Sequence, residues 1–237
     1  MNKTSLSHHI SRQFNEELED VRNKVLAMGG LVEEQIENAI TALVNADVEL
    51  AERVISRDYQ VNALEVAIDE ESVQVLARRQ PAAGDLRLII AVIKTITDLE
   101  RIGDQAERIG RMAIHLAEME RPKNQYSELE HLGTQVRKML HNALDAFARM
   151  DTEAAVAVAQ EDIKVDAEYE AIMRQMITFM MEDPRNVKRT LDVMWSARAL
   201  ERMGDHACNI SEYIIYLVKG KDVRHTSLEH MEKQARD

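Results

Sequence analysis

The chain has 237 residues, 45% of them hydrophobic, and a formal net charge of −12, so it is long enough and apolar enough for one large or two small packed domains. The acidic balance, without a clustered basic surface, argues against nucleic acid as a partner, and a single cysteine, Cys208, excludes an intramolecular disulfide framework and suits a reducing compartment. No apolar run reaches the roughly 18 residues of a membrane span, and Met1 to Arg12 lacks the apolar centre of a signal peptide, so a cytoplasmic protein is expected.

Three prolines and eight glycines, with Ala, Leu, Ile, Met, Glu, Arg and Lys abundant, predict an almost wholly α-helical chain. Thr4 to Ser7 offer N-caps to a first long helix, whose stripe runs through Ile10, Phe14, Leu18, Val21, Val25, Met28, Val32, Ile36 and Leu43. Gly29-Gly30 is a weak point in it. Asn45-Ala46-Asp47 reads as a turn, with Asp47 capping a second helix that continues to Arg79-Gln80-Pro81, where the proline pushes its predecessor out of helical geometry. Asp85 is expected to cap a third helix ending near Met119. Arg121-Pro122-Lys123-Asn124 is the linker.

The pattern then restarts. Ser127 and Glu130 form a capping-box pair before a fourth helix, and Met150-Asp151-x-Glu153 repeats Ala46-Asp47-x-Glu49 at an offset of 104 residues. Pro184 answers Pro81, and the last helix runs from about Arg185 to Lys219-Gly220, a glycine C-cap. The expected fold is all-α: two tandem, duplicated antiparallel three-helix bundles made of six long helices. Residues 1–121 form the first repeat, 122–220 the second, and 221–237 a polar, solvated C-terminal tail. Met176, Met180 and Met181, near the end of the fifth helix, are read as core packing.

The most informative stretch is Leu99-Glu100-Arg101-Ile102-Gly103-Asp104, which returns as Leu200-Glu201-Arg202-Met203-Gly204-Asp205 at an offset of 101. On a helix, Glu and Asp four apart stack two carboxylates on one face, and their repulsion must be offset by a cation, an arginine or a proton. A lone Glu-x-x-x-Asp is common on solvated faces, and duplication can equally preserve an ion pair with Arg101 or Arg202. In the third helix, however, the acidic positions continue a flank that is apolar upstream at Leu86, Ile89 and Ile93, and in the last helix a flank at Leu191 and Met194, and both flanks are expected to be buried there.

The second helix adds Asp58, Asn62, Glu65 and Asp69 at three- and four-residue steps. Their counterparts in the second repeat are Asp162, Asp166, Tyr169 and Met173. If the oxygen rows face each other, Asn62, Glu65, Asp69, Glu100 and Asp104 in one half, and Asp166, Glu201 and Asp205 in the other, are candidate metal ligands. Such oxygen donors favour Mg2+, Mn2+ or iron, with zinc a further option. The Glu-x-x-His pairs of oxygen-activating di-iron bundles are absent at the motif, and no histidine has metal-ligand spacing. Cys208, at the position of Glu107, is read as a small core residue. There is no Gly-rich phosphate loop, nucleophile elbow or paired-Cys motif.

Taken together, His9-Ile10-Ser11-x-Gln13-Phe14-Asn15, Val66-Ala67-Ile68-Asp69-Glu70, Arg79-Gln80-Pro81, Asp85-Leu86-Arg87-Leu88, Leu144-Asp145-Ala146-Phe147-Ala148-Arg149-Met150-Asp151, Met180-Met181-Glu182-Asp183 and the two motif copies resemble the PhoU family along nearly the whole chain. The resemblance implies a non-enzymatic cytoplasmic regulator of phosphate uptake and of the phosphate-starvation response. It implies an adaptor between the ATPase of the phosphate ABC transporter and a phosphate sensor histidine kinase, a homodimer, and contact with the membrane only through protein partners. In some members a Glu/Asp-x-x-x-Asp signature binds multinuclear metal clusters, and it maps here onto Glu100 with Asp104 and Glu201 with Asp205. Tyr169, Met173 and Cys208 leave the second site fewer oxygens, so unequal metal affinity is expected. The competing expectations are a metal-dependent hydrolase or redox enzyme using the same carboxylates, and a metal or phosphate store.

Overall fold

A computed structural model describes residues 3–79, 81–119 and 126–236, with side chains from residue 13 onward. The expected linker at 121–124, and with it the boundary between the repeats, lies outside the described residues. Helix α1 spans Lys3–Asn45, α2 Val48–Arg57, α3 Tyr59–Arg79, α4 Ala83–Ala117, α5 Ser127–Arg149, α6 Thr152–Glu182, α7 Val187–Lys219 and α8 Leu228–Arg236. No strand occurs among the described residues.

The turns follow local chemistry. Asp47 accepts a hydrogen bond from the Leu50 amide at 2.9 Å, and Asp151 accepts from the amides of Glu153 and Ala154, so both repeats start their second helix with the same cap. Gly220 ends α7 at φ 71°, in the left-handed region where a glycine carries no Cβ penalty.

Several expectations change. Helix α1 is already helical at Lys3, ahead of the expected caps at Thr4 to Ser7. Helix α4 starts at Ala83, which places Asp85 in its first turn, where it favours the helix dipole without capping it. Helix α5 has Tyr126 at its N-cap, so Ser127 is its first helical residue. The second helix is interrupted at Asp58, although that residue keeps helical dihedrals (φ −56°, ψ −33°) and its carbonyl accepts from Val61. The C-terminal segment is not a solvated tail. Met231 and Ala235, four apart on α8, are buried against α6, and Thr152 Oγ1 donates to the Ala235 carbonyl at 3.0 Å. Met181, expected in the core, is 79% exposed, and Leu191 is exposed as well.

One continuous apolar cluster runs through both repeats. The most extensive helix pairing joins α4 to α7, the two motif helices, and α1 also packs on α5. Contacts of Arg87 with Leu217, Asp98 with His206 and Arg108 with Trp195 show that α4 and α7 run antiparallel. The repeats are related by a pseudo-two-fold, and the α1–α5 crossing makes this visible. A Cβ at Gly29 would lie 2.5 Å from Leu144 Cδ1, and one at Gly133 would collide with Ile40 Cδ1. Both glycines and both knobs are separated by 104 residues, so each repeat supplies one notch and one knob. Gly29-Gly30 therefore leaves α1 continuous, and Gly29 is a packing notch.

Candidate metal centre

Across this frame α4 faces α2 and α3, and α7 faces α6. Gly103 is where the first face closes. A Cβ there would stand 3.3 Å from Asp58 Oδ1, Gln35 Oε1 and Val61 Cγ1. Gly204 occupies the equivalent place, 3.3 Å from Asp162 Oδ1 and Val165 Cγ1, with Met139 in the position of Gln35. The missing side chains let the helices approach until the buried carboxylate of the neighbouring helix lies against the motif.

In the first half Asp58 is 7% exposed and Gln35 4% exposed. Asn62 donates to Asp58 Oδ2 at 3.0 Å, and Gln35 lies close enough to help hold the Asp58 carboxylate, but Asp58 Oδ1 and the Gln35 amide, all buried, make no well-formed hydrogen bond. Such orphaned groups are costly unless something outside the chain satisfies them. One ligand oxygen from each of Asp58, Asp104 and Glu107 lies within 4.8 Å of the other two. Glu107 also pairs with Arg111. One turn from Asp104 along α4 and about two from Asp58 along the chain, Glu100 and Glu65 form a second level of carboxylates.

Burial and mutual repulsion act in one direction here. Burial, then Asp104 and Glu107, raise the pKa of Asp58. Burial, then Asp104, Glu65 and Asp58, raise that of Glu100, and burial followed by Glu107 raises that of Asp104. Glu65 is raised mainly by burial, with Thr97 and Arg101 working against it. Of the residues expected as ligands, Glu100, Asp104 and Glu65 thus share the cluster, whereas Asn62 and Asp69 sit on the exposed side of α3 and Asn62 reaches it only through Asp58.

The second half repeats the layout with different charges. Glu201 is 8% exposed and its Oε2 has no partner, while Oε1 pairs with Arg198, whose guanidinium also lies 5.8 Å from the Tyr169 ring centre. Burial, then Asp166, Asp205 and Glu201, push Asp162 up to about 7. Asp205 and Glu201 are raised by burial first, with Arg198 opposing. Burial pushes the Cys208 thiol up to about 12, consistent with a packed thiol. Asp166 is exposed at the rim. Among the described residues only the first half brings three ligand atoms together.

Sequence reasoning left Asp58, Glu107 and Gln35 out of the ligand set. Gln35 carried a signal, because it is a polar side chain set next to Ile36 within the apolar stripe of α1. His206, given no role from sequence, is buried between α4 and α7, with Nδ1 2.7 Å from Asp98 Oδ1, and Asn209 donates to the same oxygen at 3.2 Å.

Tandem three-helix repeats packed about a pseudo-two-fold, with a carboxylate cluster at each motif, define a duplicated all-α protein with acidic inter-helix sites. The PhoU domain model matches residues 25–113 and again 129–214, so the duplication is two copies of one domain, and the chain belongs to the PhoU family. It is 57% identical over 98% of its length to a Pseudomonas putida protein named phosphate-specific transport system accessory protein PhoU homolog, covering 90% of that protein. It is 50% identical to the Escherichia coli accessory protein PhoU, over 98% of this chain and 96% of that one. The crystal structure of PhoU from Pseudomonas aeruginosa aligns with a TM-score of 0.85 at 55% identity, over 88% of this chain and 100% of that chain. The phosphate transport system regulatory protein PhoU from Streptococcus pneumoniae aligns with a TM-score of 0.83 at 30% identity, over 89% and 99%.

Proposed function

We propose that this protein regulates phosphate uptake and the phosphate-starvation response as a non-catalytic adaptor between the ATPase of the phosphate transporter and the sensor kinase, and that its first carboxylate cluster binds a hard divalent cation. The regulatory part is carried by near full-length identity to proteins designated phosphate-transport accessory proteins. The metal part is carried by Asp58, Asp104 and Glu107, three carboxylates within reach of one ion beside a buried Asp58 oxygen and a Gln35 amide that make no well-formed hydrogen bond. A cation there supplies the charge that the cluster lacks. Asp58, Asp104 and Glu107 would hold it, with the Gln35 carbonyl and water completing an oxygen shell suited to Mg2+ or Mn2+. The chain has no membrane-crossing helix among its described residues, in keeping with attachment to the transporter through protein contacts.

Titration of Mn2+ or Mg2+ into metal-free protein is expected to give binding heat and a higher Tm. At about 100 times Kd the gain is about 2.7 kcal/mol, or roughly 5–10 °C for a chain of this size. The Asp58→Asn and Asp104→Asn variants should lose the response. No heat and no Tm change in the parent protein would overturn the metal assignment. Recovery of the transporter ATPase and the kinase with the tagged protein from cells grown at high and low phosphate tests the adaptor role, and their absence from both samples would refute it.

A further inference from the structure

Glu212 is half-buried where the C-terminal segment folds back on α7. At the 101-residue offset it answers Arg111, which is largely exposed on α4 and pairs with Glu107. After Gly220 the chain returns as a strap, residues 221–227, whose Val223 is 1% exposed and which leads into α8. Asp222 and Arg224 form a forked pair on this strap, Arg224 Nε and Nη2 donating to the two carboxylate oxygens at 2.9 and 2.6 Å. The Lys94 amine of α4 lies 5.3 and 5.5 Å from the ring centres of Tyr213 and Tyr216 and acts electrostatically on Asp222, so α4, α7 and the strap meet here.

The charges around Glu212 do not balance. Asp222 on the strap, Asp98 on α4 and Asp162 on α6 repel it, whereas Arg224, already bound to Asp222, is the cation that opposes them. Cys208 and Tyr213 on its own helix are held neutral by burial and add no positive charge. Burial first, then Asp222, Asp98 and Asp162, push Glu212 up to about 7 against the pull of Arg224. A carboxyl covered without a matching cation is covered at least cost with its proton on. The strap has little else to hold it: Val223 is its only buried side chain, and α8 adds Met231 and Ala235. His225, between the strap and α8, sits at φ 61°, a left-handed backbone that a side chain disfavours.

We propose that the strap and α8 form a proton-operated latch, closed over α7 and α6 while Glu212 is neutral and released when Glu212 gives its proton to solvent. Release uncovers Tyr213 and Lys94 at the α4–α7 seam. It also frees the α6 surface at Thr152 and Gln160, which hold α8 through the Ala235 carbonyl and Glu232. A carboxyl raised in the closed form and ordinary in the open one favours closure fully below 4.5, and that contribution is lost as pH rises through about 7. Between those values the opening equilibrium gains up to about tenfold per pH unit.

Hydrogen exchange of the backbone amides, followed by mass spectrometry on the full metal-free chain and corrected for each amide's intrinsic rate, reads the latch directly. Protection within 229–236 is expected to fall about 10-fold or more between about pH 5 and about pH 7.5, while the buried amides of α4 and α7 stay more protected at both values. The Glu212→Gln variant, neutral at every pH, should keep the segment at its high protection throughout. Asp162→Asn, which removes the other carboxyl raised to about 7, should leave most of the pH dependence of the segment in place. Equal protection at both pH values in the parent overturns the latch, as does a parent-like pH dependence or uniformly low protection in Glu212→Gln. Complete loss of the dependence in Asp162→Asn, or opening of α8 only together with α4 and α7, assigns the effect to global stability and overturns it too.

Discussion

Substituting alanine at two adjacent glycines of α1 should move stability in opposite directions. At Gly30 a new Cβ meets nothing within 4 Å, so replacing the poorest non-proline helix former by the best should stabilise by about 1 kcal/mol. At Gly29 the same Cβ would lie 2.5 and 2.7 Å from the two Leu144 methyl groups and 3.2 Å from their branch carbon. Ordinary carbon contacts begin near 3.5 Å, so the buried Leu144 must move by about 1 Å or the α1–α5 crossing must open. Overpacking of this kind costs about 1–3 kcal/mol, which offsets or exceeds the propensity gain. With roughly 2–4 °C per kcal/mol for a chain of this length, Gly30→Ala should raise Tm by that amount, and Gly29→Ala should leave it unchanged or lower it by up to about 8 °C. Thermal melts followed by far-ultraviolet circular dichroism decide this. A double-mutant cycle with Leu144→Ala adds a coupling term, because removing the knob should relieve the new methyl. Equal stabilisation by both glycine substitutions, or additivity in the cycle, would refute the notch.

Asp162 is raised to about 7, so its protonated form stabilises the fold fully below its ordinary value near 3.8, and that contribution is lost as pH rises through about 7. Metal-free protein should therefore melt higher at about pH 5.5 than at about pH 8 through this group, and Asp162→Asn should raise Tm by a few degrees at about pH 8 with little effect at about pH 5. An equal effect at both values would contradict the assignment. For α8, Met231→Glu places a charge where the side chain is only 4% exposed. Limited proteolysis should then cut within 228–236 much faster while the Tm of the body stays within about 2 °C, since few apolar groups hold this helix. A proportionate global loss of stability would instead make α8 part of the core.

The helical frame was legible because its signals are local. The Asp47 and Asp151 caps and the Gly220 stop each depend on a few neighbouring residues, and the recurrence of Leu-Glu-Arg-x-Gly-Asp needs no structure to be seen. What escaped depends on what lies across the gap. Helix α8 has only Leu228, Met231 and Ala235 to bury in an otherwise polar stretch, and no periodicity shows that α6 offers a surface to receive them. The wheel placed Asp58, Asn62, Glu65 and Asp69 in one row, yet only Asp58 and Glu65 turn inward, because the buried face of α3 is centred on Val61, Ile68 and Val75 and the row runs along its edge, with Glu65 nearest to it and Asp58 at the break before α3. The Leu191 flank was expected to be buried, but Leu191, which answers Ile90 at the 101-residue offset, is exposed where Ile90 is half-buried, so the two repeats differ on this face.

That asymmetry bears on how the two motif copies divide their work. Both hold a carboxylate against a motif glycine, so the backbone frame is common to both, and the difference lies in what balances the charge. In the second half Arg198 comes from within the chain and pairs with Glu201, Met139 replaces the polar Gln35, and Cys208 replaces Glu107. In the first half the position of Arg198 is held by Thr97, which brings no charge, and among the described residues the only cation paired with a member of the Asp58, Asp104 and Glu107 triad is the largely exposed Arg111. An exposed pair of that kind contributes about 0–1 kcal/mol, too little to balance three carboxylates whose oxygens converge within 4.8 Å. The first half has no such internal cation to offset its charge, whereas the second sets Arg198 against Glu201 and still raises Asp162 to about 7, so protons balance part of its charge. On the metal reading, ion occupancy changes the charge of one repeat only, at the α2–α4 packing, and leaves the α6–α7 hairpin with its exposed Trp195 electrostatically constant.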